Sequence, residues 1–357
     1  MSYRLLFVED DKSQLSLLQD ELTDWNAAHP EKSFALHVSG SYEGARQDLA
    51  DRRFDAALLD LRLPGEKGVP GQLLADLCVS QYGIPAAIIS GHPGDFDQSR
   101  WNGMVEVFNK GDTGAYKAAV AWFGSLSHMM HILGNTRKRI QEQGATVFWR
   151  QVWPRWASYE ALAGIQDDEL VRIVSRQYAS HITEILGLDA ENAVKWHPFE
   201  NYIRPALQQA RPHTGDIFRI EEELWVVLTP QCDMATKKAM TVLLAHCSSK
   251  PPIQNWKESI AALSSESGKQ RKAAEEFLGK LLNQAQPAFH FLPPLENGQP
   301  LMVDFKNLKA LSWAELEVRL PSRIASIAPA FLANLTQRFG SYVSRVGQPN
   351  ISATHLS

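Results

Sequence analysis

The chain has 357 residues, 44% of them hydrophobic, which is enough for two or three domains with packed cores. A formal net charge of −4 at pH 7 argues against a strongly basic nucleic-acid-binding protein. The three cysteines are too few for a disulfide framework and suit a reducing compartment. No apolar stretch approaches the ~20 residues that a bilayer span needs, so we expect a cytoplasmic protein without a membrane partner.

Polar residues follow four strand-like apolar runs in the first 110 residues. Asp10 and Asp11 follow residues 5–8, Asp60 follows 56–59, Ser90 follows 86–89 and Lys110 follows 105–108. Helical apolar spacing at 13–25, 41–50 and 71–81 separates the first runs, and a turn is expected at 63–65. We expect one helix between successive strands. Because the carboxyl ends of parallel strands meet at one sheet edge, these polar residues should converge there.

The chemistry of this set indicates phosphoryl transfer. Three clustered carboxylates, Asp10, Asp11 and Asp60, repel one another unless a cation lies among them, and Mg²⁺ prefers such oxygen ligands. Lys110 offers a positive charge and Ser90 a hydroxyl to phosphate oxygens. Asp60 is the candidate nucleophile, since a carboxylate can form an acyl phosphate.

These residues resemble the receiver domain of two-component response regulators. The matching segments are Phe7-Val8-Glu9-Asp10-Asp11, Leu58-Leu59-Asp60-Leu61-Arg62-Leu63-Pro64-Gly65, Ile88-Ile89-Ser90-Gly91 and Phe108-Asn109-Lys110-Gly111. The resemblance implies a doubly wound, flavodoxin-like α/β domain with five parallel strands. It makes Asp10 and Asp11 the Mg-binding pair, Asp60 the phosphoacceptor, Ser90 the switch hydroxyl and Lys110 the phosphate-contacting lysine. The implied partner is a histidine kinase.

Two positions depart from the family pattern. Val107 occupies the place of the usual aromatic switch residue, with Phe108 beside it, so either the register is shifted or the aromatic relay is absent. Gly111 stands where proline usually follows the lysine. Both departures concern how phosphorylation is transmitted and leave its chemistry unchanged.

A long helical segment follows the receiver motifs. Residues 114–133 have helical spacing, and the helix either continues toward Gln143 as a connector, which could pair with its twin in a homodimer, or breaks at Gly134. The next segment interleaves Trp149, Trp153 and Trp156 with arginines. We favour a hydrophobic anchor there over a nucleobase-stacking surface. Another helix is expected over 160–188. We divide the chain into a receiver at 1–125, a helical connector or arm at 126–212 and an output domain at 213–357.

The output domain is predicted to be an α+β domain with a small SH3-like β-barrel. Strands are expected at 215–220, 224–230, 239–245, 289–292, 301–305 and 308–311, with helices at 265–284 and 321–346. The segments Thr214-Gly215-Asp216-Ile217, Val226-Val227-Leu228-Thr229-Pro230 and Val303-Asp304-Phe305-Lys306-Asn307-Leu308-Lys309 resemble the small barrels of the MazF and PemK toxin family. That family cleaves single-stranded RNA. The catalytic residues of that family cannot be matched to positions of this sequence. RNA cleavage and a barrel retained only for binding therefore both stay open.

Three output-domain residues form a further candidate site. Cys232 and Asp233 follow one predicted strand, and His246 lies near the end of the next. The three could be structural, bind zinc or form a nucleophile and base. The structural interpretation is favoured, because a lone cysteine at a strand end is usually a small buried hydrophobe.

The leading functional hypothesis is a response regulator with an output domain that is not of the helix-turn-helix type. One alternative is a phosphorylation-gated ribonuclease or other hydrolase. The other is an adaptor that docks a protein or RNA partner. The sequence leaves open whether the output domain has any enzymatic activity.

Overall fold

The computed structural model describes residues 2–63, 68–101, 104–161, 166–187, 196–206, 210–282, 286–295 and 298–345. The chain divides into two compact units, Met1–Asp189 and Ala190–Ser357. The finer predicted division at residues 125 and 212 stays a prediction. Most of the turn predicted at 63–65 lies outside the described residues. Within the described ranges, no helix is both long and apolar enough to cross a membrane.

The first unit contains the predicted five-stranded parallel sheet. Its strands are β1 (Ser2–Val8), β2 (Ser33–Ser39), β3 (Ala56–Leu59), β4 (Ala86–Ser90) and β5 (Val105–Asn109). They are ordered β2-β1-β3-β4-β5, and every adjacent pair is parallel. This is the flavodoxin-like doubly wound order, in which successive strands are added on one side of β1 and then, from β3 on, on its other side. The predicted fold class of this unit is confirmed.

Helices cover both faces of this sheet. They are α1 (Lys12–Ala28), α2 (Tyr42–Asp51), α3 (Pro70–Leu77) and α4 (Ala115–Ser125). One core lies between the sheet and α2 and α3, and contains Leu49, Leu59 and Leu74. The other lies against α1 and α4, and contains Leu18 and Phe123. Both faces are buried, which explains why the strands read as continuous apolar runs.

The prediction of a helix between β4 and β5 is wrong. The described residues there form only two short 3₁₀ turns, Pro93–Asp95 and Gln98–Arg100. Pro93 begins the first turn, and Gly91 and Gly94 lie close by. Glycine and proline disfavour helix propagation, so this connection is a loop.

Two longer helices follow α4. Helix α5 (Ser127–Val147) begins after a break at Leu126 and runs through Gly134 without interruption. The short α6 (Trp156–Glu160) and the long α7 (Asp167–Gly187) come next. Trp149 and Trp153 are 62% and 57% exposed. These two rings are not buried among the described residues, and the anchor interpretation of the segment stays a prediction.

The second unit is built on a seven-stranded antiparallel sheet. Its strands are β6 (Tyr202–Ile203), β7 (Asp216–Ile220), β8 (Glu223–Val227), β9 (Thr241–Ser248), β10 (Phe289–Leu292), β11 (Leu301–Ser312) and β12 (Arg323–Ile327). The order is β10-β11-β9-β8-β7-β12-β6. The helices are α8 (Gln231–Ala235), α9 (Trp256–Ala262), α10 (Gly268–Leu282), α11 (Trp313–Glu317) and α12 (Pro329–Val343). This curled sheet with its helices fits a barrel-like domain.

Two elements of the second unit differ from the sequence prediction. The two strands expected at 301–305 and 308–311 form the single β11, with a register irregularity between Asp304 and Leu308. The helix expected from 321 begins only at Pro329, because Arg323–Ile327 forms β12 and pairs with β7. A buried ion pair fixes this strand: Arg323 Nη1 lies 2.8 Å from Asp216 Oδ2. Tertiary pairing has overridden the helical spacing of the apolar residues.

Candidate functional site

The candidate site lies at the carboxyl edge of the parallel sheet. Asp60 directly follows β3, and its backbone N–H donates to the Val8 carbonyl at the end of β1 (2.8 Å). Lys110 directly follows β5, and its backbone N–H donates to the Ser90 carbonyl (2.9 Å). These bonds extend the strand pairing by one residue, so the sheet itself sets the positions of the polar side chains.

Three carboxylates converge there. Ligand oxygens of Glu9, Asp10 and Asp60 all lie within 4.8 Å of one another. Glu9 and Asp60 are buried, with 4% and 7% of their surface exposed, whereas Asp10 is open to solvent. Among the described residues this is the one such group of potential metal ligands.

Lys110 bridges the two buried carboxylates. Its Nζ lies 2.5 Å from Glu9 Oε2 and 3.0 Å from Asp60 Oδ2. Burial alone would lower the pKa of Lys110, but its hydrogen bonds to Glu9 and Asp60 and their negative charges outweigh that effect and raise it. Burial raises the pKa of Glu9 against the opposing influence of Lys110. The ammonium is thus held charged between two acidic groups.

Glu9 takes the place that the sequence analysis gave to Asp11. The Asp11 side chain caps α1: Oδ1 accepts hydrogen bonds from the Ser13 N–H and hydroxyl, both at 2.7 Å. These bonds lower the pKa of Asp11. Its backbone N–H donates to Glu9 Oε1 (3.2 Å), which helps to orient the glutamate. An acidic residue just before a helical pattern is a helix-capping signal, and that signal could have separated Asp11 from Glu9.

Ser90 ends β4 and is buried, with its Oγ accepting a hydrogen bond from the His92 N–H (3.1 Å). Val107 packs against the core on the α2 and α3 side, and Phe108 packs against the opposite core. The two residues therefore alternate across the sheet in the ordinary way, and Phe108 does not occupy the face of Val107.

Gly71 is a site residue that the sequence analysis missed. A Cβ at this position, near the start of α3, would lie 2.2 Å from the Asp60 carbonyl oxygen and 2.6 Å from the Leu61 Cα. The Gly71 N–H donates to the Leu61 carbonyl (3.2 Å). Only glycine lets α3 begin this close to the residue that follows β3.

The residues present fit a hard divalent cation. Three carboxylates face one ammonium, so the cluster keeps an excess of negative charge, and two of its acids are buried where uncompensated charge is costly. Oxygen ligands of this kind suit Mg²⁺, which commonly binds one or two carboxylates beside phosphate. Glu9, Asp10 and Asp60 are the residues that would hold it.

The second candidate site has a different geometry. Cys232 lies on α8, exposed, with its Sγ 3.8 Å from Asp233 Oδ1. His246 lies within β9, where its Nε2 is 2.7 Å from Glu223 Oε2 and its ring packs on Trp225. Among the described residues no hydrogen bond or ion pair joins Cys232 or Asp233 to His246, and none of the three belongs to a group of potential metal ligands. Their joint role stays a prediction.

Comparison with known proteins gives matches to solved structures. No protein-family model matches the sequence. No curated protein matches it either. A response regulator receiver domain (CheY-like) from Methylobacillus flagellatus is 17% identical, with a TM-score of 0.28 over 35% of this chain and 99% of that chain. The HemR receiver domain from Leptospira biflexa is 22% identical, with a TM-score of 0.27 over 34% of this chain and 93% of that chain.

A third structure is response regulator protein TrrA from Thermotoga maritima in complex with Mg(2+)-BeF. It is 19% identical, with a TM-score of 0.27 over 33% of this chain and 96% of that chain. All three likenesses are confined to about a third of the present chain. The N-terminal third of this chain is thus similar to receiver domains of response regulators.

Proposed function

We propose that this chain is a response regulator whose first unit accepts a phosphoryl group on Asp60 from a histidine kinase. The observation that carries the proposal is the placement of Lys110, within 3.0 Å of Asp60 Oδ2, beside a group of three carboxylates. A lone strand-end aspartate would need neither the lysine nor the other two acids.

The chemistry follows from the groups at hand. An Asp60 oxygen attacks the phosphorus of the donor, the bond from phosphorus to the donor nitrogen or oxygen breaks, and a mixed anhydride forms. Bound Mg²⁺ would offset the charge of the phosphate oxygens. Lys110 would turn its ammonium from Asp60 toward one of those oxygens, and the Ser90 hydroxyl would donate to another.

Phosphorylation would change the contacts of Lys110 and Ser90 most directly. The added group carries nearly two negative charges, which compete with Glu9 for Lys110. Ser90 now accepts the His92 N–H, so a move of its hydroxyl toward phosphate would disturb the loop between β4 and β5. The described part of this loop contains 3₁₀ turns and no α-helix. We propose that the conformation of this loop changes when Asp60 is phosphorylated.

Acetyl phosphate tests the proposal. Full-length protein incubated with acetyl phosphate and Mg²⁺ should gain the mass of one phosphoryl group, and Asp60→Asn should gain none under the same conditions. Equal labelling of both proteins, or of neither, would contradict it.

The second unit is the proposed output domain. Its antiparallel sheet would support either ligand binding or the hydrolase alternative. The separate neighbours of Cys232 and His246 favour binding over a cysteine–histidine nucleophile. A ribonuclease would instead cleave single-stranded RNA when the full chain is phosphorylated, which gel electrophoresis of a labelled oligonucleotide would detect.

The exposed tryptophans favour one further role. Trp149 and Trp153 pack on each other, with ring centroids 5.7 Å apart, yet more than half of each side chain is exposed. Aromatic rings interleaved with arginines can stack on bases of a single strand. Binding of a single-stranded RNA oligonucleotide that is lost in Trp149→Ala but kept in Trp122→Ala would support an RNA partner, whereas identical binding by both variants would exclude this surface.

A further inference from the structure

A cavity of about 370 Å³ in the second unit lies outside the site described above. It is lined by β10, by α12 and by the segment around the 3₁₀ turn Pro198–Asn201. The side chains that matter here are Trp196, Asn201, His290, Phe291, Phe331 and Arg338. Its volume falls in the range of small-molecule sites, which begin at about 300 Å³.

One buried polar side chain at this cavity lacks a partner that burial normally requires. His290 is 93% buried and its Nδ1 has no hydrogen-bond partner. Buried polar atoms in native structures are nearly always paired, and an orphaned one often marks the position of a missing ligand.

Arg338 adds an uncompensated positive charge. It is 94% buried, and its Nη2 donates to the carbonyls of Phe289 (2.6 Å) and Gln286 (3.3 Å). No carboxylate in the described part of the chain forms an ion pair with it. A buried cation without an anion is costly, so an arginine kept at such a position fits a site that receives an anion.

His290 is neutral beside this arginine. Burial, together with the positive charge of Arg338, lowers the pKa of His290 to about 3. The imidazole therefore adds no second charge at neutral pH. Arg338 is then the cationic side chain at this cavity that a bound anion would meet.

The remaining walls are aromatic. Trp196 and Phe331 pack edge to face with ring centroids 5.3 Å apart, and Phe291 lines the same cavity. Trp196 is half exposed, which places it at the mouth. A bare inorganic anion would leave these apolar surfaces unfilled, whereas a flat apolar body would cover them.

We propose that this cavity binds a small organic carboxylate with a flat apolar body, its carboxylate against Arg338 and its body between the aromatic side chains. The site gives the proposed output domain a ligand of its own. It does not depend on phosphorylation of Asp60.

Benzoate and benzamide test the proposal because they share a shape and differ in charge. In ligand-observed NMR titrations of the full chain, benzoate should bind at millimolar concentrations, and benzamide and inorganic phosphate should bind at least about tenfold more weakly. Arg338→Met should weaken benzoate binding by a similar factor.

A second pair of variants keeps the test decisive if Arg338→Met does not fold. Asn334 lines the cavity one helical turn before Arg338 and is exposed, so Asn334→Asp should repel benzoate without loss of fold. Gln337→Asp places the same charge on the same helix at an exposed position outside the cavity lining, and should bind benzoate as the original protein does. Absence of benzoate binding, equal binding of benzamide or phosphate, or equal benzoate affinity in the Asn334→Asp and Gln337→Asp variants would overturn the proposal.

Discussion

The site in the first unit depends on how one lysine is shared between two acids. Lys110 reaches Glu9 and Asp60 together, and the three groups lie at the ends of β1, β3 and β5. Asp10, Asp60, Ser90 and Lys110 could be placed from sequence because each ends an apolar strand. The strand pattern alone does not choose between Glu9 and Asp11, because that choice also requires the helix-capping signal by which Asp11 begins α1.

Glu9→Gln and Asp11→Asn distinguish the two assignments. Glu9→Gln removes one of three clustered carboxylates, so Mg²⁺-dependent labelling by acetyl phosphate should slow by at least about tenfold. This factor corresponds to about 1.4 kcal/mol in the activation free energy of labelling. Asparagine caps a helix about as well as aspartate, so Asp11→Asn should label at the original rate. A rate loss in Asp11→Asn that matches or exceeds that of Glu9→Gln would return Asp11 to the metal-binding pair.

His290 gives the second unit a pH-dependent stability. The folded state holds it neutral down to about pH 3, whereas the unfolded chain protonates it near 6.5. Folding lowers the pKa of His290. Its contribution to the free energy of unfolding is therefore complete above pH 6.5 and is lost as the pH falls from 6.5 toward 3. The slope is at most about 1.4 kcal/mol per pH unit.

Urea unfolding at pH 7 and pH 5 measures this contribution. The free energy of unfolding of the second unit should fall between the two pH values, and His290→Gln should remove part of that fall. Arg338, the charge next to His290, is unchanged in this comparison. Equal losses in both proteins would show that His290 does not titrate on unfolding.

At the scale of elements, α3 is fixed by its approach to β3. Gly71→Ala would place a Cβ 2.2 Å from the Asp60 carbonyl oxygen, which requires α3 or the loop to shift. We expect the free energy of unfolding of the first unit to fall by about 1–3 kcal/mol, with slower labelling of Asp60.

Gly134→Ala is the matched control for Gly71→Ala. A Cβ at Gly134, within α5, meets no heavy atom within 4 Å. The substitution should therefore stabilise the first unit by about 0.5–1 kcal/mol in the same urea titration. Equal and small effects at both glycines would contradict the close approach of α3.

Elements with strong local patterns were predictable and those set by distant partners were not. The five parallel strands and α10 follow from their apolar spacing. In contrast, β12 was expected to be helical, since Ile324 and Ile327 also suit a helical face. The segment forms a strand because it pairs with β7 and because Arg323 forms an ion pair with Asp216. Both β7 and Asp216 are distant from β12 in the sequence. The long helix breaks at Leu126 rather than at Gly134; Leu126 packs against the core that contains Phe123, and the Tyr3 hydroxyl donates to the Ser127 carbonyl (2.8 Å).

At the scale of the whole molecule, the two units have different kinds of sites. The first has a charged edge suited to a cation and a phosphoryl group, and the second has an aromatic cavity with a buried cation. In the proposed function the first unit receives the signal and the second performs the output. The motifs of the first unit predicted that its polar residues converge at one sheet edge, because those residues stand at fixed positions after strands. The cavity of the second was not predictable, because Trp196, His290 and Arg338 are far apart in the chain.

We propose that Asp60 is phosphorylated with the help of a cation held by Glu9, Asp10 and Asp60. The most direct measurement treats the full chain with acetyl phosphate, reduces the product with borohydride, which converts an acyl phosphate of aspartate to homoserine, and maps the peptides by mass spectrometry. We expect homoserine at position 60 with Mg²⁺ and none when the metal is chelated. Homoserine at another aspartate, or equal conversion with and without Mg²⁺, would contradict it.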